Sequence, residues 1–158
     1  MIKVAVLTVS DSCSQGKRED LSGQVILDML PKGKFEVCGK NVVADDVKAI
    51  AEQLTYFSDK AGVDIILTTG GTGLGPRDVT PEATQSVCQK MVPGFCEIMR
   101  SEGFKKTPNA VLSRAVAGVR NNTLIINMPG SPRSVKESLE IILGILPHAF
   151  EMLKGAGH

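Results

Sequence analysis

Tryptophan is absent from this chain of 158 residues, tyrosine occurs once, phenylalanine five times and histidine twice. So few flat side chains exclude a surface on which single-stranded nucleic acid stacks its bases. An excess of charge of one sign is also missing: 18 Lys and Arg stand against 17 Asp and Glu, a formal net charge of +1. No broad field is available to hold a duplex or an anionic bilayer, so any bound anion must be held by local groups. Long apolar runs are lacking; Ile141 to Leu143, resuming at Ile145, falls far short of the roughly 20 residues that cross a bilayer. Met1-Ile2-Lys3 leads into an apolar stretch, but polar Ser10-Asp11-Ser12 follows without a small-x-small cleavage pattern. The segment therefore reads as a first strand and not as a leader. The cysteines at 13, 38, 88 and 96 form no CxxC pair, and His148 and His158 stand at no ligand spacing. A structural zinc site is excluded, and reduced thiols in a cytoplasmic protein are the expectation.

What is present is enough apolar sequence, 42% of the chain, to close one core, so residues 1–158 are expected to form a single domain. Lys3 to Thr8, Phe35 to Val43 and Ile65 to Leu67 read as strands, the first and third apolar enough to be covered on both faces. Helices are predicted between them, from about Gly23 to Leu30 before Pro31 and from Val47 to about Lys60, with Asp45 as a candidate N-cap. The stretch from Ser12 to Gly23 is polar and reads as a mobile loop. Thr80-Pro81 resembles an N-cap with proline at the first helical position, opening a helix to about Met91. A further helical piece follows Pro93-Gly94. Ala115 to Val119, Asn121-Asn122 and Thr123 to Ile126 suggest a hairpin, and Ser131-Pro132 opens the next helix, with Pro147 restarting the last one. The pattern predicts an α/β fold in three layers: a mostly parallel sheet with helices on both faces and a short antiparallel β-hairpin.

In such sheets ligands bind beyond the carboxyl ends of the strands. Four segments lie there: Ser10-Asp11-Ser12, Ala44-Asp45-Asp46, the loop Thr69 to Asp78, and Asn127 to Ser131. The loop carries Gly70, Gly71, Gly73 and Gly75, which allow backbone N–H groups to converge on an anion. It is no standard nucleotide loop, because Pro76 follows Gly75 where a P-loop needs lysine, and the even glycine spacing breaks G-x-G-x-x-G. Asp78 before the helix start and Asp45 after the second strand can each be simple helix-start acids. Taken together, two acids beside an amide-rich loop suit Mg²⁺, which accepts one or two carboxylates together with phosphate oxygens. With no catalytic-looking histidine or paired cysteine, electrostatic clamping is the chemistry this inventory offers.

The string LTTGGTGLGPRDVTPEAT from Leu67 to Thr84, with LTVSDS near the start, LSRAVAGV, and TLIINMPGSP, resembles the molybdopterin adenylyltransferases and the related N-terminal domain of gephyrin. The similarity runs from about Val4 to Leu153. It implies a molybdopterin-binding fold assembled as a homotrimer, which transfers AMP from ATP to the terminal phosphate of molybdopterin with release of pyrophosphate. By the same resemblance Asp45 and Asp78 are the catalytic acids that hold Mg²⁺. Thr69, Gly70, Gly71, Thr72 and Gly73, with Pro129, Gly130 and Ser131, bind the nucleotide phosphates. Ser10, Asp11, Ser113 and Arg114 face molybdopterin. The family's Pro-Asp-Glu is replaced here by Ala44-Asp45-Asp46, which leaves Asp45 or Asp46 as the first acid. A molybdenum-insertion protein is the implied partner. The alternatives are a non-catalytic molybdopterin-binding or scaffolding module, such as a sister paralogue of the enzyme, and a regulatory nucleotide sensor.

Overall fold

The computed structural model describes residues 1–156; His158 lies outside them. Six strands form one sheet: β1 (Ile2–Val9), β2 (Phe35–Val43), β3 (Ile65–Thr69), β4 (Lys90–Met91), β5 (Ala117–Arg120) and β6 (Thr123–Met128). Their order is β2-β1-β3-β6-β5-β4. The first four in that order run parallel, with Val4 opposite Ile65 and Ile65 opposite Leu124, while β5 pairs antiparallel with both β6 and β4. The helices are α1 (Asp11–Ser14), α2 (Leu21–Met29), α3 (Val47–Thr55), α4 (Thr80–Val87), α5 (Gly94–Lys106), α6 (Pro132–Ile142) and α7 (Leu146–Leu153).

Strand alternation divides the core in two. Val4 and Val6 of β1, Ile65 and Leu67 of β3, and Leu124 and Ile126 of β6 face Ile26 of α2, Met99 of α5, Leu139 of α6 and Leu146 of α7. Ala5, Leu7, Ile66 and Ile125, one residue out of phase, face Ile50 and Leu54 of α3 and Ala83 and Val87 of α4. The period of two in β1, β3 and β6 therefore demands cover on both faces, and the three-layer α/β sheet is as predicted. Among the described residues no helix is long and apolar enough to cross a membrane.

Four local expectations change. The stretch after β1 contains α1, capped by Ser10, and α2 begins at Leu21 because Asp20 accepts the Gly23 N–H (2.9 Å) and the Thr8 hydroxyl (2.8 Å). Asp46, not Asp45, caps α3, accepting the Ala49 N–H at 2.8 Å. Thr80 is not an N-cap; it is the first residue of α4, and its hydroxyl donates to the Gly70 carbonyl (2.9 Å). The fourth helix stops at Val87, and Lys90–Met91 becomes an edge strand against β5. The hairpin turn forms at Asn121-Asn122, with Asn121 at φ 52°, a conformation asparagine tolerates.

One buried side chain ties the sheet to a helix close to the strand ends. Asn127 of β6 is fully buried; its amide donates to the hydroxyls of Thr68 (3.0 Å) and Thr84 (2.9 Å), and its Oδ1 accepts the Val116 N–H (3.2 Å). Asn127→Ala orphans these groups and opens a small void, so unfolding in urea should lose about 2–3 kcal/mol of stability. A loss below about 0.5 kcal/mol would show that the three groups find new partners.

Candidate active site

The chain leaves β1 toward β2 on one side and returns to β3 on the other, and this change of direction opens a crevice beyond the ends of β1 and β3. A cleft of about 390 Å³ sits there, walled by Ser10, Asp45, Thr69, Gly70, Gly71, Asp78 and Gly130. Three loops meet at its floor through backbone contacts. Gly70 stands at φ +99°, and a Cβ added there would overlap the Val9 carbonyl oxygen, so only glycine fits. Its N–H donates to the Met128 carbonyl (3.1 Å), the Thr69 hydroxyl donates to the Pro129 carbonyl (2.5 Å), and a Cβ on Gly130 would be 3.2 Å from the Gly70 Cα. Gly71, at φ +69°, keeps open the space between Asp45 Oδ1 and the Thr80 hydroxyl.

Asp45 reaches the cleft because the adjacent Asp46 takes the helix cap. Asp45 and Asp11 interlock: the Asp11 N–H donates to Asp45 Oδ2 (2.9 Å), and the Asp45 N–H donates to Asp11 Oδ1 (3.0 Å). Arg77 then grips Asp11 with a two-pronged contact, Nε to Oδ2 at 3.0 Å and Nη2 to Oδ1 at 2.9 Å. The Arg77 guanidinium holds the Asp11 carboxyl below its ordinary range, helped by the Asp45 backbone. Asp45 moves the other way: burial pushes its carboxyl up and the charges of Asp11 and Asp78 add to this, against the Asp11 N–H bond. Asp78 accepts the Gly75 N–H at 2.9 Å through Oδ2.

Arg114 braces the glycine loop from behind. Its N–H donates to the Thr72 carbonyl (2.8 Å), its Nε to the Gly73 carbonyl (2.8 Å), its Nη2 to the Asp78 carbonyl (2.7 Å), and both its Nη groups reach Glu82. Ser131 caps α6 by accepting the Ser134 N–H (3.1 Å). Ser113 and Pro129 line a neighbouring, more apolar cavity of about 200 Å³ between α5 and α6, so the Pro129-Gly130 step divides two hollows. Thus Ser10, Asp45, Thr69, Gly70, Gly71, Asp78 and Gly130 share one cleft. Asp11, Thr72, Gly73, Ser131 and Arg114 belong to its supporting shell or loop, and Ser113 stands in the adjoining cavity. Sequence reasoning missed Arg18, Glu19 and Ser22 on the cleft wall. The readable signal was Asp20 as an N-cap, which ties this segment back to β1.

Residues 5–148 match the family described as "Probable molybdopterin binding domain". A molybdopterin adenylyltransferase of Helicobacter pylori is 44% identical over 156 residues, taking in 98% of this chain and 89% of that protein. The molybdenum cofactor synthesis protein cinnamon of Drosophila melanogaster is 40% identical over 154 residues, which are 96% of this chain but 26% of that protein. The crystal structure of the molybdopterin biosynthesis enzyme MoaB from Thermus thermophilus superposes with a TM-score of 0.93 at 49% identity, covering 98% of each chain. The chain belongs to this molybdopterin-binding family of molybdenum cofactor biosynthesis proteins.

The raised Asp45 carboxyl makes the folded chain the better proton binder at this site. Its favourable contribution is therefore present below the ordinary carboxylate range and is lost as pH rises through the raised value. Asp45→Asn keeps an acceptor for the Asp11 N–H and removes the half-buried charge. Its melting temperature by calorimetry should rise at pH 7 relative to the parent, with the difference vanishing near pH 3. A fall at pH 7 would show that the charge is compensated in the fold.

Proposed function

We propose that this protein is a molybdopterin adenylyltransferase: ATP and molybdopterin enter the cleft, and a terminal phosphate oxygen of molybdopterin displaces pyrophosphate from the α-phosphorus of ATP. A P–O bond forms to the attacking oxygen as the bond to the β-phosphate oxygen breaks, and the two negatively charged reactants must be held in line. Such a displacement needs positioning and charge neutralisation more than a covalent nucleophile. The observation that supports the reading is the convergence of Asp45 and Asp78 on one cleft whose floor is the backbone of Gly70 and Gly71.

The two acids fit a magnesium ion. Among the described residues Oδ1 of each carries no hydrogen bond, and their carboxylates repel one another, which a shared cation relieves. Among the described residues no group of three or more His, Cys, Asp or Glu is arranged to hold a metal. Mg²⁺ takes one or two carboxylates and completes its shell with phosphate oxygens and water. When bound, Mg²⁺ supplies charge neutralisation on the phosphates. Asp45 and Asp78 are its holders, with Asp45 chosen over the capping Asp46. Thr69, Gly70, Gly71, Thr72 and Gly73 surround the nucleotide phosphates, and Pro129, Gly130 and Ser131 close the wall. Ser10 and Ser113 take the pterin side, while Asp11 and Arg114 act by orienting Asp45 and the glycine loop.

Pyrophosphate release should require ATP, molybdopterin and Mg²⁺ together; none from purified protein would overturn the catalytic reading, and retained pterin binding would then favour a storage or scaffolding module. Asp78→Asn should lower turnover by about 10²-fold while molybdopterin affinity measured by fluorescence quenching is kept. An equal loss of both would remove Asp78 from the reacting centre. The same reading assigns a cytoplasmic homotrimer that hands its product to an insertion protein; assembly would cover apolar side chains left about half exposed, such as Phe104, Val111 and Leu112. Sedimentation equilibrium at micromolar concentration should report three chains, and a monomer alone would refute the assembly.

A further inference from the structure

We infer that Arg18 is a phosphate-binding side chain of the cleft, a role that rests on the nucleotidyl-transfer reading above. The charge inventory of the cleft carries the inference. Its lining holds three carboxylates, Glu19, Asp45 and Asp78, and one cation, Arg18. Two polyanionic reactants in a cleft with this excess of carboxylates favour a positive side chain beside the metal and the backbone amides. The other nearby arginines are committed elsewhere: Arg77 to Asp11, Arg114 to Glu82 and the loop carbonyls, and Arg133 to Glu137 at 3.2 Å. Arg18 makes no hydrogen bond or ion pair among the described residues, its neighbour Glu19 included.

Its placement is built by the fold. The Lys17 N–H donates to the Ser12 carbonyl (2.9 Å), which folds the chain back over α1, and two residues beyond Arg18 the Asp20 carboxylate is fixed by Thr8 and Gly23. The chain before Arg18 is thus tied to α1 and the chain after it, through the Asp20 side chain, to Thr8 of β1, while the Arg18 side chain itself is exposed. A guanidinium presents a planar fork of donors that matches two phosphate oxygens, and Arg18 shares the lining of this hollow with Gly70 and Gly71. Such a contact adds to the neutralisation that backbone amides and a cation held by the two acids would supply.

Titration calorimetry with α,β-methylene-ATP and Mg²⁺, with pyrophosphate, and with adenosine tests the role. Arg18→Gln should weaken the first two by about tenfold, the loss expected for one charge-assisted contact, and leave adenosine and the melting temperature unchanged. Arg18→Lys should recover part of the affinity, and the parent should show the steeper salt dependence. If the nucleotide affinities hold but the KM for molybdopterin rises about tenfold, the phosphate is the pterin's, and the assignment of Arg18 to phosphate binding stands. Unchanged values for both reactants, or an equal loss for adenosine, would overturn it. If the parent protein binds neither the ATP analogue nor pyrophosphate, the nucleotidyl-transfer reading itself fails and the role of Arg18 falls with it.

Discussion

Everything at the upper end of this molecule depends on backbone touching backbone. At Gly70 the chain passes so close to the Val9 carbonyl that no side chain can intervene, and Gly130 packs tightly on Gly70. The loops that leave β1, β3 and β6, strands already paired in the sheet, are thereby held against one another. Two consequences follow for chemistry. Acids carried by segments remote in sequence arrive at one hollow, and the peptide groups of the glycine loop line it.

Holding charges at that junction requires a second layer of organisation. Arg77 and Arg114 are both engaged by carboxylates and carbonyls of the surrounding shell. Their work is mechanical: Arg77 sets Asp11, which sets Asp45, and Arg114 fixes the carbonyls of Gly73 and Asp78. The carboxylates of the cleft remain largely uncompensated within the protein, a state that costs stability. The raised Asp45 carboxyl and the lowered Asp11 carboxyl, interlocked through their own backbones, are the two faces of that arrangement.

Much of this was readable from residue order because it is local or periodic. The alternating apolar faces of β1 and β3, the Asn121 turn and the density of glycines after Leu67 each report their own conformation. The failures share a cause. Whether Asp45 or Asp46 caps α3 depends on the Asp11 N–H, 34 residues away, and no helical period distinguishes two adjacent aspartates. The strand at Lys90–Met91 has two residues and exists because β5 offers it an edge. Arg114 carries no mark of its role, since the carbonyls it braces lie about forty residues earlier. Arg18 escaped because its segment was read as a mobile loop, when α1 and the Asp20 cap fasten it at both ends.

The contact between Gly70 and Gly130 also bears on how this protein can diverge. A side chain at Gly70 would overlap the Val9 carbonyl oxygen, and one at Gly130 would press on the Gly70 Cα, so variation that preserves the fold is channelled elsewhere around the rim. The stretch from Gln15 to Glu19 is exposed, and within it only Gly16, at φ +73°, is held to a left-handed backbone. Relatives should therefore differ first at the other four positions of that stretch, with the glycine floor beneath them unaltered.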